Sequence, residues 1–341
     1  MKAVVINKPF EVEIKEVPKP VIEDEHDVII KVVSGGICGS DVGIYNGTNS
    51  LATYPRIIGH EFAGIIEEVG TSVTNIKVGD LVAVDNVNSC GYCYACRTGH
   101  HNVCDTVEVT GVHRDGGFAE YVKTTEKNAY KLDESQIDRE SAALVEPYSI
   151  GVEANERGRT TTGDKVLVMG SGPIGIAVMQ VAKSRGAIVM MTDIVDKRLD
   201  RAKDMGADRV VNVKNESLEE VVQEFTEGDG AHVIIDSVCS PQSLEEALEL
   251  VAPSGRIVTL GTGNIPSSVP QVAFTKKGID VLGSRLNNYR FPHVIELFET
   301  RAVQPEKMKT HTFHFTEIAE AFEFLKNNQA EVCKIVLNFD A

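Results

Sequence analysis

Four of the seven cysteines fall in one short segment, Cys90, Cys93, Cys96 and Cys104, spaced C-x2-C-x2-C-x7-C. Four thiolates on a loop that also carries Gly91 and Gly99 can wrap a tetrahedral ion and leave no position open, which is the chemistry of a structural zinc. Such a site contributes folding energy, because its ligands have no order without the metal. Two disulfides are the other use of the same thiols; the clustering, the odd total and a reducing compartment argue for the metal. A second pattern, Gly170-Ser171-Gly172-Pro173-Ile174-Gly175, follows the apolar run Val166 to Met169 and opens a helical segment. The first glycine turns the chain tightly, the second lets backbone approach a pyrophosphate and the third packs helix on sheet, with the helix N-terminus facing the phosphates. Asp193 closes the next strand, 18 residues after Gly175. A carboxylate there accepts ribose hydroxyls and repels a 2′-phosphate, so NAD is expected rather than NADP. Arg198, early in the following helix, is counted with the cofactor residues; the alternative is a glycine turn that binds nothing. Finally, Cys38 and the adjacent His60 and Glu61 offer a thiolate, an imidazole and a carboxylate. On residue type alone they fit equally a buried thiol, a core histidine and a surface glutamate.

The elements that must hold these residues change character at about Gly163. Before it, Val28 to Val33, Phe62 to Val69 and Asp80 to Val84 are short β-branched segments between Gly, Pro and Asn turns. They predict a strand-rich unit without a long amphipathic helix. After it, strands and helices alternate. Strands are predicted at Val166 to Met169, Ala187 to Asp193, Arg209 to Val213, His232 to Val238 and Arg256 to Gly261, and helices at Pro173 to Arg185, Lys197 to Met205, Leu218 to Phe225 and Gln242 to Val251. This alternation predicts a parallel sheet with helices on both faces. In the last helix Leu244, Leu248 and Val251 form one stripe while Glu245, Glu246 and Glu249 point elsewhere. A strand from Ile279 to Ser284, helices Val294 to Thr300 and Glu317 to Leu325, and a strand Cys333 to Phe339 exceed what a nucleotide-binding unit needs. The tail is therefore expected to return to the first domain, giving boundaries 1–150, 151–286 and 287–341.

A chain of 341 residues suggests about two domains. Its 34 basic and 50 acidic residues, net charge −16, repel phosphate backbones and anionic lipid, and no Lys/Arg run overrides this. A nucleic-acid partner and a membrane surface are excluded on that ground. The longest apolar stretch, Val166 to Ala182, is interrupted by Gly170, Gly172, Pro173 and Gly175 and does not read as a membrane span. The first residues lack the uninterrupted apolar core of a signal peptide, so a cytoplasmic protein is expected.

The stretch Gly59-His60-Glu61-Phe62-Ala63-Gly64, continuing to Gly70, resembles the zinc signature of the medium-chain alcohol and polyol dehydrogenases. The four-cysteine segment and the glycine turn follow in that family's order. Leu144-Val145-Glu146-Pro147 has a glutamate where many alcohol dehydrogenases have a cysteine, which makes the sorbitol-dehydrogenase-like branch the nearer match. The resemblance implies an α/β chain: a GroES-like β-rich catalytic domain with the zinc lobe, plus a Rossmann doubly wound parallel-sheet domain before a C-terminal return. It implies two zinc ions, a structural one on the four cysteines and a catalytic one on Cys38, His60 and Glu61, with Glu146 as a fourth or exchanging ligand. Ser40 matches the hydroxyl that accepts the alcohol's proton, and NAD takes the hydride. Where many members carry a histidine as the outer end of a proton relay, this chain has Gly43; the relay then ends in cofactor ribose and solvent, or another group such as Tyr45 contributes. His113, Arg114 and Arg285 could bind a carboxylate. That favours a sugar acid, as in the L-gulonate, L-idonate and L-galactonate 5-dehydrogenases, unless Arg114 pairs with a local acid. A polyol or threonine dehydrogenase and a non-catalytic NAD-binding relative are the alternatives. Relatives are commonly homodimers or homotetramers, and the strand Ile279 to Leu282 could pair between subunits.

Overall fold

The computed structural model describes residues 1–261 and 263–340, which divide into two compact units. The first comprises Met1–Glu146, Asn287–Arg301 and 305–340; the second comprises Pro147–Leu286 and 302–304. No helix among the described residues is long and apolar enough to cross a membrane.

The first unit is built on a seven-stranded sheet. Its central strand, Asp27–Gly36, is buried at nearly every position, as its run of Val and Ile dictates. It pairs antiparallel with Glu61–Val69, so that Glu61 lies opposite Gly36. It also pairs antiparallel with the last strand, Lys334–Asn338, where Val336 lies opposite Gly36. That last strand runs parallel to Lys309–His314. A three-stranded sheet of Lys2–Lys8, Glu11–Glu16 and Arg56–Ile57 completes the unit's larger sheets. Periodicity does not announce two of these elements. The N-terminal hairpin turns at Pro9-Phe10 with Phe10 at φ +65°, without the Gly or Asn that usually marks such a turn. Lys309–His314 is largely polar and occupies the end of its sheet, so it has no apolar face to display.

The second unit is a six-stranded parallel sheet. From one edge the strands are Arg209–Asn212, Ile188–Asp193, Lys165–Met169, Ala231–Asp236, Val251–Thr259 and Asp280–Gly283. In order along the chain this is 3-2-1-4-5-6, the doubly wound arrangement whose binding crevice lies where the order reverses, at strand 1. Between strands run the helices Pro173–Ser184, Asp196–Asp204, Leu218–Phe225 and Pro241–Leu250. The fully buried Val166, Leu167, Val168, Val189, Met190, Met191, Ile234 and Ile235 are the continuous apolar runs of a sheet covered on both faces. A 13-residue helix, Val145–Arg157, forms where the sequence predicts no long helix. Glu146, Glu153 and Asn155 are buried on it, so its apolar pattern is broken by inward polar residues.

Candidate active site and metal centres

Cys38 is the N-cap of the helix Gly39–Asn46. Its N–H donates to Asp41 Oδ2 at 2.9 Å, which closes the first turn and fixes where the sulfur points. Asp41 is fully buried, and its other oxygen lies 3.4 Å from His60 Nδ1. One carboxylate thus sets both the thiol and the imidazole. His60 follows Gly59, whose φ of +98° and close approach to the Phe118 ring, 2.2 Å from a built Cβ, admit no side chain. Burial alone would hold His60 neutral, but the Asp41 carboxylate and the Cys38 sulfur outweigh it and draw its pKa well above the ordinary histidine value. Ser40 Oγ stands 3.3 Å from His60 Nε2.

Donor atoms of Cys38, His60 and Glu61 all lie within 4.8 Å of one another. One sulfur, one nitrogen and one oxygen that close are a donor set that fits zinc. Glu61 is fully buried, and both of its oxygens accept from Lys334 Nζ, each at 2.8 Å. Glu146, also buried, accepts from Asn86 Nδ2 at 2.8 Å, and Asn86 donates as well to the His60 carbonyl at 3.3 Å. Burial pushes the Glu146 carboxyl up to about 7. Asp41, Asn86 and Lys334 escape a reading by motif. The nearest sequence signal is the lysine itself, a charge inside the apolar run Val332-Cys333-Lys334-Ile335-Val336-Leu337.

The sulfurs of Cys90, Cys93, Cys96 and Cys104 also lie within 4.8 Å of one another. None of the cysteines is in a disulfide among the described residues. Backbone N–H groups are already turned toward the sulfurs: Cys90 donates to Cys104 Sγ at 3.3 Å and Cys93 to Cys90 Sγ at 3.4 Å. The first of these leads the effects that lower the Cys104 thiol to about 6, stabilising the thiolate a metal requires. Four convergent sulfurs suit a closed tetrahedral zinc.

In the second unit the three glycines of the turn differ in what requires them. Gly170 has φ +96°, and a Cβ on Gly175 would meet the Gly170 carbonyl oxygen at 2.0 Å. Gly172, by contrast, has nothing within 4 Å of a built Cβ. Protein packing and backbone conformation explain the outer two, while the middle one leaves open space beside the backbone. Gly172 is the N-cap of Pro173–Ser184, with Pro173 and Ile174 in the first turn. Asp193 Oδ2 accepts from Ser171 N at 3.0 Å, its Oδ1 accepts from Ile194 N at 2.7 Å and Val195 N at 3.1 Å, and Arg198 lies 3.8 Å away.

The residues expected around a substrate are differently disposed. His113 Nδ1 accepts from Val109 N at 3.0 Å, so one ring nitrogen serves its own turn. Arg114 is exposed, 3.1 Å from Glu108 and 3.3 Å from Asn88 Oδ1, while Asp115 instead pairs with Arg56 at 2.8 Å. Arg285 is exposed, just beyond the edge strand Asp280–Gly283. Tyr45 has its ring stacked on Phe322, centroids 5.0 Å apart, and edge-on to Phe10, which is a packing role.

Two family models match the chain: an alcohol dehydrogenase GroES-like domain over residues 24–134 and a zinc-binding dehydrogenase over residues 173–300. The chain is 43% identical to the starvation-sensing protein RspB of Escherichia coli K12 over 99% of both chains. It is 32% identical to the L-galactonate-5-dehydrogenase of the same strain, covering 95% of this chain and 94% of that one. A crystal structure described as a short chain alcohol dehydrogenase, RspB from E. coli CFT073 complexed with NADH, superposes with a TM-score of 0.93 at 42% identity over 99% of each chain. With both units matched and full-length relatives in hand, the chain belongs to the zinc-binding alcohol dehydrogenases with a GroES-like domain, and it is a dehydrogenase.

Proposed function

We propose that this dehydrogenase oxidises a secondary alcohol of a C6 sugar acid, of the L-gulonate, L-galactonate or L-idonate type, to the 5-keto acid with NAD. It does so in the cytoplasm, as a homodimer or homotetramer. The observation that carries the chemistry is the convergence of Cys38, His60 and Glu61 around a space one ion could fill, with Ser40 beside them. Zinc held there, with Glu146 as a further carboxylate, would supply Lewis acidity that makes an alcohol acidic, as it lowers the pKa of bound water to about 7. NAD, held by Gly170, Gly172, Gly175 and Asp193, supplies the hydride-accepting ring.

The chain's own groups do the rest. Asp41 faces His60 Nδ1, which leaves the Nε2 lone pair for the metal side. Ser40 Oγ accepts the hydroxyl proton and passes its own outward, where Gly43 offers no side chain to carry it further. The alcohol loses one hydride and one proton, and ketone, NADH and a proton result. Assembly is supported by the edge strand Asp280–Gly283, whose half-buried Val281 and Leu282 suit pairing with a second copy.

The sugar-acid reading draws on the L-galactonate relative and on Arg285. A neutral polyol is the second reading, favoured by the Arg114–Glu108 pair, which withdraws one of the two arginines. A panel of C6 sugar acids and polyols, followed by NADH absorbance, separates them. Arg285→Ala should raise KM for the acid roughly thirtyfold, the loss of a charged hydrogen bond of about 2 kcal/mol, and leave sorbitol unaffected. Equal effects on both would remove the carboxylate argument.

A further inference from the structure

Lys334 is buried, its side chain 2% exposed, beside a cluster fit for a dication, where a fixed positive charge is electrostatically unfavourable. Its three donors are all used: both oxygens of Glu61 at 2.8 Å and the Ile37 carbonyl at 3.2 Å. The strand register builds this contact. Gly36 lies between Glu61 on one neighbour and Val336 on the other, and Lys334 is two residues from Val336, on the same face. A Cβ on Gly36 would sit 2.2 Å from Glu61 Oε2, so the carboxylate occupies the space that glycine leaves. A buried ion pair is seldom the most stable filling for such a space, since apolar residues of similar volume often do as well or better. A role other than stability therefore fits it. A carboxylate gripped through both oxygens by an ammonium has fewer lone pairs, and weaker ones, to give a metal.

Taking the metal-site reading above as given, we infer that Lys334 is a positioning residue that keeps Glu61 a weak, displaceable ligand. The ion thereby retains a position for the substrate alcohol. Groups hydrogen-bonded to a metal ligand commonly strengthen it by accepting its proton. Here the partner is a cation that competes with the metal, so its removal acts in the opposite sense.

The test uses the full-length enzyme without alcohol or NAD, and reads zinc affinity by chelator competition and the visible absorption of the cobalt(II)-substituted protein. Lys334→Met should bind zinc more tightly by on the order of tenfold, the usual scale of an outer-shell change. Its cobalt absorption should weaken as Glu61 adds to the coordination sphere. Lys334→Arg should restore the original spectrum. Looser zinc binding or an unaltered cobalt spectrum in Lys334→Met overturns the inference, because a lysine that merely fills and neutralises the core would behave so. The charge-neutral pair Glu61→Gln with Lys334→Met keeps the test open if the single variant folds poorly. It should bind zinc much as the unmodified protein does, and a loss on the order of a hundredfold would show Glu61 to be a full ligand. Neither readout involves a substrate, so an error in the sugar-acid assignment leaves them unmoved. Failure of the unmodified protein to hold zinc at Cys38 and His60 would instead overturn the metal-site reading.

Discussion

Asp193→Ala should collapse the preference for NAD over NADP. If the carboxylate accepts the adenosine ribose hydroxyls, each charged hydrogen bond contributes about 1.5–3 kcal/mol, and losing this recognition lowers kcat/KM for NAD on the order of a hundredfold. NADP moves the other way. A 2′-phosphate placed about 4 Å from the carboxylate meets repulsion of about 4 kcal/mol per charge pair at an effective dielectric of 20, and the substitution removes it. Arg198, 3.8 Å from Asp193, is then positioned to take the phosphate. The hundredfold loss for NAD and the removal of about 4 kcal/mol of repulsion for NADP, about three decades, together narrow the NAD to NADP ratio by up to about a hundred-thousandfold. The substitution also has a structural cost, because the Asp193 side chain accepts the N–H of buried Ser171 at 3.0 Å. Leaving that donor unpaired costs about 1–3 kcal/mol, so melting temperature and circular dichroism are recorded alongside. The assay is kcat/KM for both cofactors with one alcohol. A folded variant with an unchanged ratio would refute the reasoning and show that another group reads the ribose.

Cys38→Ser should abolish turnover in a chain that stays folded, whereas Cys104→Ser should lose one zinc equivalent and lower the melting temperature first; metal analysis of both variants distinguishes them, and the reverse order means the two sites have been exchanged. Gly59→Ala should destabilise by several kcal/mol, combining left-handed backbone strain of about 1–2 with overpacking of about 1–3 against Phe118, and a melt within error of the unmodified protein's would contradict the geometry. Arg114→Ala should change neither stability nor KM appreciably, since its pair with Glu108 is exposed and such pairs contribute under about 1 kcal/mol. Burial raises the Asp85 carboxyl to about 6, so the folded chain holds that proton more tightly than the unfolded one, and ionising it removes stability as pH rises from about 4 through 6. Asp85→Asn should therefore gain up to about 3 kcal/mol at pH 8 relative to its effect at pH 4 in denaturant titrations, and equal effects at both would exclude the titration.

The alternation after Gly163 was enough to predict an α/β chain, because each strand of a sheet covered on both faces must be apolar throughout and each helix must show one apolar stripe. The four-cysteine cluster was likewise legible, since its sulfurs come from 15 consecutive residues and loop closure over that distance hardly depends on the remaining fold. Cys38, His60 and Glu61 are another matter. Their types suggest a metal only alongside a known family, and what brings them together is a helix cap, a left-handed glycine and the pairing of Glu61 with Gly36. Asn86 and Lys334 carry no motif; Lys334 meets Glu61 across 273 residues of chain because two strands flank the same glycine. Arg114 shows the converse, a promising cation whose neighbour Glu108 decides its role. Chain composition and periodicity set which local elements form, since these depend on near neighbours and solvent. Which side chains share a buried charge is settled by strand register, and register exists only once the distant segments have packed.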